Sequence, residues 1–323
     1  MKKIIPLCFI LLLLSLPLII FYQPWVSALP SSSQHASPDQ LEKTVRYLTQ
    51  TVHPRSADHL DNLNRSGSYI KDVFVKSGAK VIEQPVPIAD GPYKNIIADY
   101  GPQDGPLIII GAHYDSASYY ENDQLIYTPG ADDNASGVAG LLELARLLQQ
   151  QAPKIGVQLV AYASEEPPFF RSDEMGSAVH AASLERSVKL MIALEMIGYY
   201  DSAPWSQNYP YSAMSWLYPE RGDFIAVVGR VQDISDVRQV KSALLSATEL
   251  PVYSINAPGF IPGIDFSDHL NYWQHDIPSV MITDTAFYRN KQYHLPGDTA
   301  GRLNYQKMAQ VVDGVITLLQ NSK

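Results

Sequence analysis

The sequence of 323 residues contains a single cysteine, Cys8, and this scarcity excludes several kinds of chemistry. Cys8 lies inside an apolar run near the start of the chain, so the rest of the sequence offers no thiol for nucleophilic catalysis or for binding zinc. Disulfide bonds within the remaining chain are excluded for the same reason. A domain of this length does not need them, because its hydrophobic core is large enough to be stable.

Positive charge is also scarce, since 24 lysine and arginine residues stand against 33 acidic residues, for a formal net charge of −9. No basic cluster follows the first residues of the chain. Nucleic-acid binding relies on a basic surface, so the sequence predicts no nucleic-acid partner. Hydrophobic residues make up 46% of the chain and charged residues 18%, which is typical of a packed globular protein rather than a disordered one.

Residues 1–28 are predicted to be a signal peptide or an N-terminal membrane anchor. Met-Lys-Lys precedes an apolar run over residues 4–21, and the small residues of Val26-Ser-Ala28 follow. This order is typical of a secretory signal peptide that is cleaved after Ala28. An apolar run of about 18 residues is also long enough to span a bilayer. We therefore expect a secreted or extracytoplasmic protein, with membrane attachment through residues 4–21 as the alternative.

The rest of the chain is predicted to be a short linker, residues 29–38, and a single domain, residues 39–323. Helices are predicted at residues 41–52, 58–77, 139–150, 175–184, 237–247 and 304–319, and strands at 80–88, 93–100, 107–112, 157–163, 188–194, 224–228, 252–255 and 279–282. The run Leu107–Ile110 is continuously apolar, as in a strand covered on both faces. Alternating strands and helices predict an α/β fold with a largely parallel central sheet.

Histidines and acids recur where predicted strands end, namely at His113, Asp132-Asp133, Glu165-Glu166, Glu195 and His294. In open α/β sheets such ends converge on one crevice, where ligands bind. His113 and Asp115 are two residues apart in an extended segment, so their side chains point to the same face. Asp115 can then accept a hydrogen bond from the imidazole and fix its tautomer, as the partners of metal-bound histidines do. A backbone carbonyl could satisfy a lone histidine, but the neighbouring acids favour a metal site.

The paired acids allow more than one interpretation. Asp132 and Asp133 precede a helix, and aspartate is a favoured N-cap residue, yet two acids exceed what one cap needs. Glu165 and Glu166 follow a strand, so one can bind metal while the other acts as a general base; a solvated charge pair is the alternative. Glu195 ends a buried strand and therefore needs a partner.

Six motifs occur in a fixed order along the chain: Gly-Ala-His-Tyr-Asp-Ser, Pro-Gly-Ala-Asp-Asp-Asn-Ala-Ser-Gly, Tyr-Ala-Ser-Glu-Glu, Leu-Glu-Met-Ile-Gly-Tyr, Phe-Ser-Asp-His and Tyr-His-Leu-Pro-Gly-Asp-Thr. In this order they resemble the zinc exopeptidase family that includes bacterial leucyl aminopeptidase and glutamate carboxypeptidase. The resemblance covers roughly residues 40–320. It implies a three-layer α/β/α fold with a mixed, largely parallel central sheet, and makes residues 39–323 a single zinc peptidase domain.

The resemblance also implies two zinc ions that share a bridging water, which attacks the N-terminal peptide bond of a peptide with a free N-terminus. His113 would bind one zinc and His294 the other, with Asp133 bridging them. Glu195 would join His113 on its zinc, and Glu166 would join His294. Two catalytic roles remain: Glu165 would be the general base, and Asp115 would orient His113.

Two features depart from this pattern or leave it open. Many aminopeptidases of the family have aspartate where this chain has Glu195, which leaves the direction of the exopeptidase less secure. Asp268-His269 resembles an element near the substrate, and His269 is the fallback ligand if His294 does not bind. An apolar substrate pocket, suited to a large hydrophobic N-terminal residue, would be lined by Met196, Ile197, Tyr199, Phe260, Phe266 and Phe287, with Asp268 and His269 close by. The apolar residues are equally compatible with ordinary packing.

Three other functions compete with an aminopeptidase. A glutaminyl-peptide cyclotransferase of similar fold would use a single zinc to close an N-terminal glutamine. A carboxypeptidase of the same fold would act on the other end of the chain. A receptor-like binding domain would have lost its ligands, whereas every motif position here carries an acid or a histidine.

Overall fold

The computed structural model describes residues 22–247 and 249–322. Most of the predicted signal peptide, including Cys8, therefore lies outside the described residues. Within the described ranges, none of the helices combines the length and the apolar character needed to cross a membrane.

An eight-stranded sheet forms the centre of the domain. Its strands are β1 (Lys80–Val86), β2 (Tyr93–Tyr100), β3 (Leu107–His113), β6 (Gly156–Tyr162), β7 (Val188–Glu195), β8 (Ile225–Gly229), β9 (Val252–Asn256) and β10 (Ser279–Thr283), while β4 (Ser118–Glu121) and β5 (Gln124–Tyr127) form a separate hairpin. The order across the sheet is β1-β2-β6-β3-β7-β10-β8-β9. Strands β6, β3, β7 and β10 run parallel, and β2 and β8 are antiparallel to this central group. The predicted mixed, largely parallel sheet is confirmed.

Helices cover both faces of this sheet. They are α1 (Pro38–Arg46), α2 (Leu60–Lys76), α3 (Gly137–Gln150), α4 (Gly176–Ala182), α5 (Ile234–Ala247), α6 (His269–Trp273) and α7 (Tyr305–Asn321). Shorter helical turns lie at Tyr47–Thr51, Ala57–His59, Ala131–Ser136, Ser212–Trp216, Val231–Asp233, Ala286–Tyr288 and Ala300–Arg302.

Alternate residues of β3 explain why this strand is continuously apolar. Ile108 and Ile110 pack into one core with α1, α2, α3, α5 and α7, whereas Leu107 and Ile109 pack into a second core with α4 and α6. Because successive side chains of a strand point to opposite faces, a strand between two helical layers needs apolar residues throughout. The predicted three-layer α/β/α arrangement is thereby confirmed.

The segment predicted as a linker is attached to the domain. Residues 29–37 form no helix or strand, but the Ser32 amide donates to Thr317 Oγ1 at 3.1 Å and the Ala36 amide to Asp313 Oδ1 at 2.7 Å. Ser37 caps α1, which begins at Pro38 rather than at residue 41. The sequence prediction also lacked the β4–β5 hairpin and α6, which are only four to five residues long and carry little periodicity.

Candidate metal centre

The ends of three adjacent parallel strands bring the predicted site together. His113 is the last residue of β3, Glu195 is the last residue of β7, and Glu165 and Glu166 follow β6, on the other side of β3. Parallel neighbours end at the same edge of a sheet, so these side chains meet in one crevice. Asp133 enters this crevice from the helical turn before α3, and His294 enters it from the segment after β10.

Asp133 lies between the two histidines. Its Oδ1 is 3.4 Å from His113 Nε2, and its Oδ2 is 3.1 Å from His294 Nε2. Glu195 Oε2 is 3.4 Å from His113 Nε2, whereas Glu166 Oε2 is 3.1 Å from His294 Nε2. The structure thus brings all five predicted ligands together, as two groups that share the Asp133 carboxylate.

The state of His113 tests whether these residues fit a metal ion. His113 is fully buried, and its Nδ1 lies 3.2 Å from Asp115 Oδ1, but its Nε2 has no hydrogen-bond partner. A buried polar atom without a partner costs about 1–3 kcal/mol, so its presence needs an explanation. One nitrogen of His113, with one carboxylate oxygen each of Asp133 and Glu166, lies within 4.8 Å of the others. Imidazole nitrogen and carboxylate oxygen are zinc ligands, and the residues therefore fit zinc.

The electrostatics of the crevice favour positive charge. Burial lowers the pKa of His113, but Glu195 and Glu165 outweigh it and hold that pKa well above its usual value. Burial likewise lowers the pKa of His294, but Glu166 and Asp133 outweigh it and raise that pKa to about 11. Burial also raises the pKa of Glu166 to about 7, with Asp133 contributing in the same direction. Buried acids that raise the pKa of both histidines are arranged as they would be around cations.

Asp115 connects the histidine to the paired glutamates. While Oδ1 faces His113, Oδ2 accepts hydrogen bonds from the backbone amides of Glu165 and Glu166, both at 3.0 Å. The sequence suggested only the contact with the histidine. One carboxylate therefore orients a ligand and also fixes the backbone that carries the proposed base.

Proteins of similar sequence identify the family of this chain. The sequence model of peptidase family M28 matches residues 95–319, which is more than half of the chain. This chain belongs to peptidase family M28. It is therefore a metallopeptidase, as the resemblance found in the sequence implied.

The M28 peptidase has relatives of known and unknown activity. It is 84% identical over 323 residues to the uncharacterized protein YfbL of Escherichia coli (strain K12), covering 100% of both chains. It is 25% identical over 226 residues to leucine aminopeptidase 1 of Coccidioides posadasii (strain C735), covering 67% of this chain. The match spans 52% of that fungal protein, or about half of its length.

Solved structures show the same fold with two different reactions. A leucine aminopeptidase precursor from Bacteroides thetaiotaomicron superposes with a TM-score of 0.68 at 20% identity, over 91% of this chain and 100% of that one. A glutaminyl cyclase from the same organism superposes with a TM-score of 0.67 at 20% identity, over 90% of this chain and 100% of that one. At such identities the likeness establishes the fold, so the reaction has to be argued from the site.

Asp132 holds loops rather than facing the histidines. Its Oδ1 accepts from the Gly198 amide at 2.9 Å, and its Oδ2 accepts from Asn290 Nδ2 at 3.0 Å. The role of a helix cap falls instead to Asn134, whose Oδ1 accepts from the Gly137 amide at 3.1 Å. Asp298 completes this support, because its carboxylate accepts from the amides of Asp132 and Asp133 at 3.1 Å.

Arg55 is the supporting residue that sequence reasoning missed. Its side chain is fully buried and donates four hydrogen bonds of 2.9–3.0 Å to backbone carbonyls, those of Leu48, Tyr114, Pro129 and Gly130. Burial lowers the pKa of Arg55 to about 10, while Asp115 and Asp298 oppose this shift. A positive charge thus lies behind the buried acids and joins the segments that carry them. No sequence pattern indicates this role, because every acceptor of the Arg55 guanidinium is a backbone carbonyl.

An apolar pocket opens beside Asp133, Glu165 and Glu195. Its walls come from β8, β9, β10 and the loops at their ends, and they include Phe224, Ala226, Val228, Ile255, Phe266, Met281 and Phe287. Phe266 and Phe287 are thus the two apolar residues of the predicted set that line it.

The other residues predicted near the substrate do not line this pocket. Met196 and Ile197 are fully buried, and Ile197 belongs to the core on the α3 side, because the chain turns inward after β7. Phe260 is 82% exposed on a loop. Asp268 and His269 are buried at the start of α6, where His269 Nε2 lies 2.8 Å from the Ile264 carbonyl. This contact occupies only one ring nitrogen of His269, whose Nδ1 is buried without a partner. Asp268 lies close enough to the metal centre for the charges of His113 and Glu195 to act on its pKa, which burial raises to about 7.

Zinc is expected to stabilise the M28 peptidase strongly, because it binds acids and histidines that are buried close together only in the folded state. The free energy of unfolding should rise by about 2.7 kcal/mol when free zinc exceeds the dissociation constant a hundredfold. Urea unfolding of chelator-treated protein over a range of zinc concentrations measures this. Magnesium, which prefers oxygen ligands and octahedral geometry, is the control. Equal unfolding curves with and without zinc would contradict the metal assignment.

Proposed function

We propose that this M28 peptidase is a zinc aminopeptidase that binds two zinc ions and releases the N-terminal residue of peptides. The observation that carries the proposal is Asp133, whose two carboxylate oxygens face different histidines, each with its own glutamate. His113, Asp133 and Glu195 would hold one zinc, and His294, Asp133 and Glu166 the other. Leucine aminopeptidase 1 of Coccidioides posadasii, at 25% identity, supports the same direction.

Glu165 is the residue that moves the proton. Its carboxylate lines the pocket, and its Oε2 lies 3.9 Å from His113 Nε2, beside both groups of ligands. Bound zinc would supply Lewis acidity toward the scissile carbonyl and the attacking water. Glu165 accepts a proton from that water and delivers it to the amine that leaves. Burial raises the pKa of Glu165 well above its usual value, which suits a group that must take and return a proton.

The charges around the pocket favour an aminopeptidase over a carboxypeptidase. Three acids, Asp133, Glu165 and Glu195, line its inner end, and the described residues that line it include no lysine or arginine. A C-terminal carboxylate is usually bound by a cationic side chain, and these walls offer none, whereas a free N-terminus does not need one. The apolar walls then receive the side chain of the first residue, and their aromatic and aliphatic side chains suit a large hydrophobic one.

Activity and metal content of the purified protein test this proposal together. We expect two zinc ions per chain and release of leucine from leucine-initiated peptides, with no reaction when the N-terminus is acetylated. Glutamine-initiated peptides distinguish the cyclotransferase that the neighbouring glutaminyl cyclase fold suggests. One zinc per chain with formation of pyroglutamate would overturn the proposal, and cleavage of acetylated peptides at the C-terminus would favour a carboxypeptidase.

The variant Val228→Phe is expected to change substrate preference by filling the pocket. Val228 lies in β8 and lines the pocket, so a phenyl ring there occupies space that a leucine side chain needs. We expect kcat/KM to fall roughly 10–100-fold for leucine-initiated peptides and far less for alanine-initiated ones. Val231→Phe is a matched control, because Val231 is exposed just beyond the same strand. Equal losses with both peptides would show that the pocket does not bind the first side chain.

A further inference from the structure

Residues 22–28, which precede the predicted cleavage point, lie against the peptidase domain. Gln23 is 1% exposed, and its Nε2 donates to Asn256 Oδ1 at 2.6 Å and to the Ile234 carbonyl at 3.1 Å. Lys241 Nζ, from α5, donates to the carbonyls of Tyr22 and Gln23 at 3.1 and 3.0 Å. The last residue of β9, the first residue of α5 and Lys241 in the middle of α5 thus hold the beginning of the described chain.

The same helix holds the rest of this segment. Arg238 Nη2 donates to the Trp25 carbonyl at 2.6 Å. The Ser242 hydroxyl donates to the Ser27 carbonyl, and the Leu29 amide donates to the Ser242 carbonyl at 3.2 Å. Side chains one helical turn apart on α5 therefore bind the segment along its whole length, on both sides of position 28.

Tyr22 also supports the wall of the substrate pocket. Its ring centre lies 5.3 Å from that of Tyr218 and 5.9 Å from that of Tyr253. Both of these tyrosines line the pocket. Aromatic pairs at such distances stabilise each other beyond their buried area, so the segment contributes to the shape of the pocket.

We propose that the chain is not cut after Ala28, and that the apolar run over residues 4–21 remains and holds the peptidase domain on a lipid bilayer. A cut after Ala28 would remove Tyr22 and Gln23 and leave the buried Lys241 ammonium and the Asn256 amide without these partners. Buried polar groups that lose their partners are costly, so residues 22–28 behave as part of the domain. The retained apolar run has the length of a membrane span and ends one residue before Tyr22.

The surface around Tyr22 suits contact with lipid. Trp25 is 72% exposed, Trp216 is 86% exposed and Leu217 is 44% exposed. Trp25 follows Tyr22 by three residues and Trp216 precedes Tyr218 by two. Since three residues span roughly 10 Å at most, both tryptophans lie close to the contact between Tyr22 and Tyr218. Tryptophan is enriched where proteins meet the membrane–water interface. Lysines at positions 2 and 3, before the apolar run, favour a cytoplasmic start of the chain, with the domain on the opposite side.

Intact mass and fractionation of the full-length protein test retention of the segment. We expect a protein that keeps residues 1–28, is recovered with membranes and resists extraction by high salt and by alkaline carbonate. A soluble product that begins at residue 29 would overturn the proposal. Neither measurement uses peptidase activity, so failure here is distinct from failure of the proposed function.

Lipid quenching of tryptophan fluorescence tests the orientation of the domain. In vesicles of brominated phosphatidylcholine, we expect the full-length protein to lose fluorescence, and the variant Trp25→Phe/Trp216→Phe to show less than half of that loss. Trp273→Phe is the control, because the Trp273 indole donates to the Ser279 carbonyl inside the domain. Equal quenching of the double variant and the parent would overturn the membrane-facing role of this surface.

Discussion

The variant Glu165→Gln is expected to lose roughly 10²–10⁴-fold in kcat on leucine-initiated peptides while it keeps its zinc. Glutamine has the same shape, so the hydrogen bond from the backbone N–H of residue 165 to Asp115 remains. The side-chain carboxamide of glutamine, however, cannot accept the proton of the attacking water. The nearest ligand nitrogen is 3.9 Å from Glu165 Oε2, farther than the pairs that join the five ligands, and metal binding should change little. Steady-state kinetics and zinc analysis of the same preparation measure both quantities.

Glu174→Gln is the matched control for this experiment. Glu174 is exposed in the same loop after β6, so an identical substitution there should leave kcat unchanged. Loss of zinc from Glu165→Gln would mean that Glu165 is a ligand rather than the base. Full activity with zinc in place would remove Glu165 from the mechanism altogether.

The variant Arg55→Met is expected to lower the free energy of unfolding of the zinc-free protein by about 3–5 kcal/mol. Methionine removes the donor that four carbonyls share, although the Gly130 carbonyl keeps the Ala135 amide, and it removes the positive charge that lies behind Asp115 and Asp298. Unfolding in urea, with a chelator present, measures the loss. Because three of the four carbonyls, those of Tyr114, Pro129 and Gly130, belong to the segments around Asp115 and Asp133, zinc affinity should fall as well.

Two further variants separate the causes of that loss. Arg46→Met is the control, because Arg46 forms an exposed pair with Glu42 on α1 and should matter little. Arg55→Lys keeps the charge but lacks the planar fork that reaches four carbonyls, so it should recover only part of the stability. Recovery of the full stability by lysine would show that charge alone accounts for the role of Arg55, and an unchanged Arg55→Met would show that it has none.

The sequence predicted the sheet and the meeting of the five candidate ligands because each carries a local signal. Leu107–Ile110 had to be a doubly covered strand, since it has no polar position that could face solvent. His113 and Glu195 immediately follow such runs, and strand order then places them together without knowledge of side-chain geometry.

The supporting residues could not be predicted, because their partners are distant in the chain and mostly backbone atoms. Arg55 binds carbonyls at positions 48, 114, 129 and 130, and Asp298 binds amides at 132 and 133. The prediction of the residues that line the pocket was partly wrong for another reason. Met196 and Ile197 are apolar and next to a ligand, but the direction in which the chain turns after β7 decides whether they face the cavity or the core.

The spread of the proposed ligands from residue 113 to residue 294 sets the order in which they become available as the chain emerges from its N-terminal end. The group of His113, Asp133 and Glu195 is complete in sequence once β7 has emerged, but β7 still lacks its neighbour β10 at that stage. His294 follows β10 and is the last of the proposed ligands to emerge. A partly emerged chain therefore offers zinc an incomplete set of donors, and the carboxylate of Asp133 acquires its second histidine only when nearly the whole domain is available to fold.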